Sequence, residues 1–585
     1  MFKLFKNFKK KDLFFIIICV SLIVFQVYLD LKIPDYMSSV TRLVQTEGSK
    51  MSEIVEQGVY MLLCAFGSLA AACFVGYYAA NIASSFSKNL REKIFRKVSK
   101  FSTAEIKKFQ TSSLITRTTN DVTQIEMLIS MGLQMMIKAP IMAVWAILKI
   151  IDKGVEWSIL TGICVLVLLT VIGILMIIVL PKFSKVQKLV DKINGVTREN
   201  LTGIRVVRAF NAEKFQKERF LEVNNDLTNT QLFTQRCFAI MFPMMNFVMH
   251  GLSAGIYIIG AFLIENALMS EKIELFSNMV VFSSYGIQVI MSFLMLALIF
   301  MMAPRASISA KRINEVLEEK VSIEDGEYFK DTKEKGTVEF KNVSFKYPDA
   351  DEYILKNISF KAEKGETVAF IGSTGSGKTT LIDLVPRFYD VTDGEILIDG
   401  INVKDYKLEK LYEKLGYVSQ KAIMFTGSIK DNVSYGNNGV KKKLNKVKEA
   451  IKVAQGEDFV EKMEKTYDSH IAFGGTNVSG GQKQRLSIAR AIFRNPEIYI
   501  FDDSFSALDY KTDANLRKEL KKYTKDATSL IVAQRIGTIL NADKIIVLDK
   551  GECVGVGTHK ELLKSCNVYK EIALSQFGEE ELSNA

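Results

Sequence analysis

Four stretches of this chain, residues 57–87, 157–181, 237–264 and 275–304, contain no Lys, Arg, Asp or Glu. A helix rises about 1.5 Å per residue, so about 20 mostly apolar residues carry it across the hydrocarbon core of a bilayer, and each of these runs is longer. Residues 13–29 form a fifth uncharged run, and a sixth candidate near 131–151 is interrupted by Lys138 and Lys149. The pattern predicts six membrane-spanning helices, at about 13–30, 54–87, 131–151, 157–181, 237–264 and 275–304. Lys3, Lys6, Lys9, Lys10 and Lys11 precede the first, which places the N-terminus in the cytosol. No small-residue cleavage site closes that run, so it reads as an uncleaved helix rather than a signal peptide. An even number of crossings returns the chain to the cytosol after Arg305.

The connections are asymmetric. The external ones are short near 152–156 and 265–274 and moderate near 31–53, whereas the internal ones, near 88–130 and 182–236, are long, charged and helical in pattern. A span that continues as a helix for ~24 residues past the bilayer reaches about 36 Å into the cytosol, far enough to touch a soluble domain. Within the spans, His250 is either a functional ionisable group or a hydrogen-bonded residue facing a watery cavity. Met241, Met244, Met245, Met249, Met291 and Met295 form either a soft, adaptable substrate surface or ordinary helix packing and lipid contact. The roles of Lys138 and Lys149 stay open.

At 585 residues the chain exceeds what one core supports. The expected division is a membrane half at 1–316, a charged linker at 317–336 and a globular half at 337–585. The formal charge of +11 reads as lysines on solvated faces and on the cytosolic flanks of membrane helices, so no nucleic-acid partner is expected. Seven scattered cysteines have neither the spacing of a metal site nor the density of a disulfide scaffold, which fits a reducing cytosol.

In the second half, Thr337–Val343 alternates with period two and reads as a strand. A second strand, Val368–Ile371, runs into Gly372-Ser373-Thr374-Gly375-Ser376-Gly377-Lys378-Thr379, followed by Thr380. This is a phosphate-binding loop in strand-loop-helix context: glycines let backbone N–H groups face the phosphates, Lys378 holds the terminal phosphates, and the Thr379 hydroxyl suits Mg²⁺. The apolar strand Ile498–Phe501 ends in Asp502, where a carboxylate completes a magnesium shell. Together these predict an ATP- and Mg²⁺-binding domain of α/β class.

Between them lies Asn477-Val478-Ser479-Gly480-Gly481-Gln482-Lys483-Gln484-Arg485. This run closely resembles the signature motif of ATP-binding cassette proteins, and the resemblance extends over the whole chain. It implies a half-transporter of the exporter type: an all-α six-helix transmembrane domain fused to an α/β ATP-binding cassette. By the same resemblance Tyr347 is the adenine-stacking aromatic and Gln420 a magnesium and water contact. Ser479, Gly480, Gly481 and Gln482 contact nucleotide, as does Asp509 in Ser506-Ala507-Leu508-Asp509. Phe101–Asp121 and Thr202–Phe220 look like the regions that couple membrane and cassette. In the family two cassettes associate head to tail, each signature turn closing over ATP held by the opposite phosphate loop, so a second half-transporter is an expected partner.

Two positions depart from the family pattern. Asp503 stands where active cassettes carry the glutamate that polarises water, and Gln534 stands where they carry a histidine that contacts the γ-phosphate. Both belong to the site built on this chain's own phosphate loop, which resembles the degenerate-site subunit of heterodimeric multidrug-type exporters. The resemblance therefore implies a weakly hydrolytic own-chain site. It also implies a non-identical partner with Glu and His at these positions and a weakened signature, a plasma-membrane location with the cassette in the cytosol, and a small amphipathic or hydrophobic cargo. A homodimeric lipid flippase and an ATP-gated regulator that moves no substrate are the alternatives. The short acidic tail after Leu563 offers no additional domain in favour of a regulator.

Overall fold

The computed structural model describes residues 2–6, 8–46, 48–151, 154–436 and 444–577. Part of the external connection near 152–156, and the acidic end of the tail from 578 on, lie outside the described residues. The chain divides into two compact units, one of Met1–Ser99 with Thr111–Glu319 and the other of Lys100–Gln110 with Lys320–Ala585. Residues 100–110 stand in sequence between two membrane helices, yet they pack with the cassette unit.

Besides the short helices Phe2–Phe5 and Thr111–Thr118, the helices of the first half are α1 (Lys10–Gln45), α2 (Met51–Val98), α3 (Thr103–Phe109), α4 (Asn120–Ile151), α5 (Val155–Thr202), α6 (Ile204–Ala209), α7 (Glu213–Asn266) and α8 (Met269–Glu318). Among the described residues six helices are long and apolar enough to cross a membrane, and they are α1, α2, α4, α5, α7 and α8. With 48 residues, α2 and α5 are each about 72 Å long, more than twice the hydrocarbon thickness, so a span and its continuation beyond the bilayer are one unbroken helix. Side chains such as Leu62, Phe66, Ile177 and Phe247 stand exposed on these helices, an arrangement that water would penalise and lipid accepts.

Inside the bundle, the Trp157 indole N–H donates to the Ile256 carbonyl at 3.1 Å, tying α5 to α7. A Cβ added to Gly260 would fall 2.4 Å from the sulfur of Met279, so the missing side chain is what lets α7 and α8 close up here. Met241 and Met245 are buried in the bundle core, which makes these two packing residues, while Met291 and His250 are exposed. Lys138 and Lys149 both have partners on α1: Lys138 pairs with Asp30 at 3.0 Å and Lys149 with Asp35 at 2.8 Å. Ser68 of α2 donates to Asp30, and the Tyr285 hydroxyl of α8 donates to Asp35 at 2.7 Å.

The cassette unit holds twelve strands among its described residues: β1 (Val338–Phe345), β2 (Leu355–Ala362), β3 (Thr367–Gly372), β4 (Asp393–Ile398), β5 (Ile401–Asn402), β6 (Leu415–Val418), β7 (Gly427–Ser428), β8 (His470–Ile471), β9 (Ile498–Asp502), β10 (Thr528–Val532), β11 (Lys544–Asp549) and β12 (Glu552–Gly557). A six-stranded sheet has the order β12-β11-β3-β10-β9-β6 and is parallel except for its β12 edge. A four-stranded antiparallel sheet has the order β2-β1-β4-β5.

Buried on both faces, the parallel strands read as near-continuous apolar runs, and alternate residues serve different cores. Val368 and Phe370 of β3, Ile498 and Ile500 of β9, and Ile546 and Leu548 of β11 point to the core shared with the antiparallel sheet. Ala369, Ile371, Tyr499, Phe501, Ile545 and Val547 point to the other. Helix α9 (Lys378–Asp383) packs in the first core through Leu381 and Ile382. Helices α10 (Leu444–Val453), α11 (Gly480–Arg494) and α12 (Tyr510–Tyr523) pack in the second, for example through Val447, Leu486, Ile492 and Leu516. The phosphate-loop helix and the helix that follows Ser479 therefore cover opposite faces of one sheet.

Candidate functional site

The site begins where β3 ends. A Cβ on Gly372 would sit 2.0 Å from the Leu548 carbonyl, so only glycine lets the chain turn this close to β11. Gly377, with φ of 96°, then delivers the chain into α9. The Lys378 ammonium folds back over the loop and donates to the carbonyls of Gly372 at 2.9 Å and Ser373 at 2.8 Å, with the Ser376 hydroxyl at 3.4 Å. Burial pushes its pKa down, while Asp503 and Asp502 act to raise it. A half-buried cation held only by neutral loop oxygens on one side is arranged to exchange them for phosphate.

Thr379 and Asp502 come together from α9 and β9: the Thr379 hydroxyl donates to Asp502 Oδ1 at 3.1 Å. Asp502 is 2% exposed, and burial pushes its pKa up to about 6, the Thr379 hydrogen bond opposing and Asp383 and Asp503 adding to the rise. Gln420 reaches the same spot from the end of β6, its backbone N–H on Asp502 and its side-chain amide on Asp503 at 3.3 Å. A hydroxyl, a carboxylate and an amide oxygen are the hard donors that Mg²⁺ takes together with its waters and phosphate oxygens. The residues present thus fit Mg²⁺ with a nucleotide.

A metal ligand has to be deprotonated, so this carboxylate sets a pH limit. With a pKa near 6, Asp502 is ionised at pH 7.5 and increasingly protonated below pH 6. The Mg²⁺ concentration needed for ATP binding should be nearly flat between pH 7.5 and 7 and rise about fivefold between pH 6 and 5. Titrating Mg²⁺ at each pH checks this.

Asp503 has φ of 46°, in the left-handed region that Asp tolerates better than most residues. Its Oδ2 accepts from the Gln534 amide at 2.7 Å and from the Gln420 amide at 3.3 Å. The two positions that depart from the family pattern are therefore bonded to each other. Burial raises the Asp503 pKa, with Gln420 and Ser506 opposing.

Tyr347 lies at the end of β1, its hydroxyl 2.9 Å from that of Thr380 and its ring edge-on to Phe345 and Tyr389, with centroids at 5.0 and 5.2 Å. Gly372–Thr380, Gln420, Asp502, Asp503, Gln534 and Tyr347 thus gather at the C-terminal ends of the parallel strands. Ser479, Gly480, Gly481 and Gln482 do not join them. Ser479 caps α11, its hydroxyl accepting from Gln482 N–H while Gln482 Oε1 accepts from Ser479 N–H at 2.9 Å. Asp509 is likewise exposed and caps α12, accepting from Thr512 N–H at 3.0 Å, a bond that holds its carboxyl below the usual range.

Sequence reasoning missed Lys107 and Tyr389, which stand beside Tyr347, and Asp383, the last residue of α9. Lys107 arrives from α3, far away in sequence. The local signal was only a capping box, Ser102 with Glu105, opening a short helix within the internal connection.

The ABC transporter family model matches residues 355–506, and the ABC transporter transmembrane region matches residues 13–303. An "Uncharacterized ABC transporter ATP-binding protein" of Mycobacterium bovis is 37% identical over 557 residues, covering 92% of this chain and 93% of that protein. An "ATP-dependent lipid A-core flippase" of Pseudomonas aeruginosa is 30% identical over 505 residues, covering 85% and 81%. A solved structure of a bacterial Atm1-family ABC exporter with ATP bound is similar with a TM-score of 0.82 and 22% identity, over 98% of this chain and 100% of that one.

Proposed function

The chain belongs to the ATP-binding cassette transporter family, a six-helix membrane domain and an ATP-binding domain in one polypeptide, and we propose that it is the degenerate-site half of a heterodimeric exporter. The observation that carries this reading is the Asp503 carboxylate, whose Oδ2 is engaged by the side-chain amides of both Gln534 and Gln420. A general base has to turn a carboxylate oxygen onto the attacking water, and the two amides hold the Asp503 carboxylate toward Gln534 and Gln420 instead. Asp503 is also one carbon shorter than glutamate, about 1.5 Å, and a misplacement of about 1 Å costs roughly a hundredfold in rate. Gln534 is neutral and offers no cation to a developing phosphate charge. None of this obstructs ATP binding at Lys378 and Thr379.

The need for a partner follows from the sheet. Because α9 and α11 pack on opposite faces, the exposed Ser479 turn serves a phosphate loop other than its own. Its serine cap and the free N–H groups that open α11 form an anion cradle. Phe473, just before the signature, is 86% exposed, and Phe210, just after α6, is 79% exposed. Apolar side chains so placed in the cytosolic regions fit a surface covered by a second half-transporter.

In the proposed cycle two ATP molecules draw the cassettes of the two chains together, and the long helices carry that closure to the spans, which expel an amphipathic or hydrophobic cargo. Lys378 and the loop N–H groups hold the phosphates of one ATP, while Ser479 and Gly481 close over the other, which the partner hydrolyses. Thr379, Asp502 and Gln420 would hold Mg²⁺, which would supply charge neutralisation at the phosphates.

Co-purification of this chain should bring down a non-identical half-transporter carrying Glu and His at the two altered positions. Inverted vesicles containing the pair should accumulate an amphipathic dye only with ATP. Recovery of a homodimer would overturn the pairing, and ATP turnover without any uptake would favour the regulator. The lipid-flippase reading draws on the Pseudomonas relative, and movement of a labelled lipid by the homodimer would support it.

A further inference from the structure

Lys107 stands over two tyrosine rings of the nucleotide site. Its ammonium lies 5.1 Å from the centre of the Tyr347 ring and 5.6 Å from that of Tyr389. A hydrogen bond with the Tyr389 side chain, together with the nearby Asp383, keeps it firmly charged. The edges of Tyr347 are set by Phe345 and Tyr389, which it meets edge-on, and its hydroxyl by a hydrogen bond shared with Thr380, and Lys107 adds a charge over the ring.

Lys107 is not needed to hold α3 in place. That helix is anchored by Glu105, which is buried and accepts from the backbone N–H of Ser102 at 2.7 Å and of Ser322 at 3.2 Å. Phe101 stacks on Phe109 at its far end, with centroids 5.7 Å apart. The exposed stem of Lys107 is thus free to place its charge, and it places it on the ring that the base would meet.

We propose that Lys107 is a positioning residue for nucleotide binding, fixing through a cation–π contact the Tyr347 ring on which the adenine stacks. This rests on the reading that Tyr347 stacks the adenine, and it predicts an effect that depends on the base and is absent for phosphates alone.

The test uses the full assembly with an ATP analogue carrying its photoreactive group on the terminal phosphate, label being counted on this chain after the subunits are separated. Unlabelled ATP and inorganic tripolyphosphate serve as competitors. K107M should weaken ATP about threefold, the scale of a partly exposed cation–π contact, and leave tripolyphosphate unchanged. K107R should bind ATP like the unaltered chain, and K107M should have no further effect in a Y347L background. Equal weakening of ATP and tripolyphosphate would overturn the proposal, because the charge would then act on the phosphates. Unchanged or tighter ATP binding in K107M would also overturn it. If Y347L itself leaves ATP binding unchanged, the stacking reading fails first and this proposal with it.

Discussion

Exchanging the partner's glutamate for glutamine will lower ATP turnover of the assembled pair by about a hundredfold or more, whereas Asp503→Asn in this chain will change it less than about threefold. The difference follows from what each carboxylate is free to do. Asp503 Oδ2 already accepts from Gln534 and Gln420, and its backbone is held in place by a 3.0 Å bond from its N–H to the Val532 carbonyl. An asparagine there keeps an acceptor oxygen for the two amides, so the local structure has little to lose. On the proposed pairing, the partner's glutamate is the one base that aligns the water at the other site. Phosphate release from the purified pair, measured for each variant alone, decides the matter. Equal silencing by the two substitutions would mean that Asp503 is a working base and that the degenerate-site reading is wrong. A complementary check is D503E combined with Q534H in this chain and a restored signature in the partner, which should create a second active site and raise turnover, since each change restores a group the family uses at that position.

The features legible in the sequence were those in which chemistry is local. Long apolar runs announced six helices long enough to span, and Gly372–Thr379, Asp502 and the Ser479 turn could each be read as candidates from a few consecutive residues. What stayed hidden was which side chains meet across the fold. The bond between Asp503 and Gln534 joins the ends of two parallel strands, and no spacing rule places them in contact. Lys107 reaches Tyr347 because residues 100–110 pack with the cassette unit although they stand in sequence between two membrane helices. The ends of helices were hidden for another reason. Hydropathy sees where lipid stops, and the helical pattern of the charged connections showed that helix continues, but not that α5 and α7 each run on without a break.

Lys138 and Lys149 show the same gap, and their partners lead to a large effect on stability. Each interrupts an otherwise apolar span, and each ends on a carboxylate of α1 more than 100 residues earlier. Asp30 and Lys138 are 20% and 21% exposed, so little water is at hand to solvate either charge alone. Removing one member of such a pair strands the other in a medium of low dielectric constant, which costs about 3 kcal/mol or more. The two members are not equivalent. Asp30 keeps a hydrogen bond from Ser68 if Lys138 is lost, whereas among the described residues no second carboxylate lies within 4.0 Å of the Lys138 ammonium. D30L should therefore lower the melting temperature of the protein in lipid nanodiscs more than K138M does. The double variant D30L with K138M should return most of the loss, because two apolar side chains of similar size pack where the charges were. If the double variant melts as low as D30L alone, the ion pair is not what holds α1 to α4, and the loss belongs to Asp30 and its contacts with Ser68.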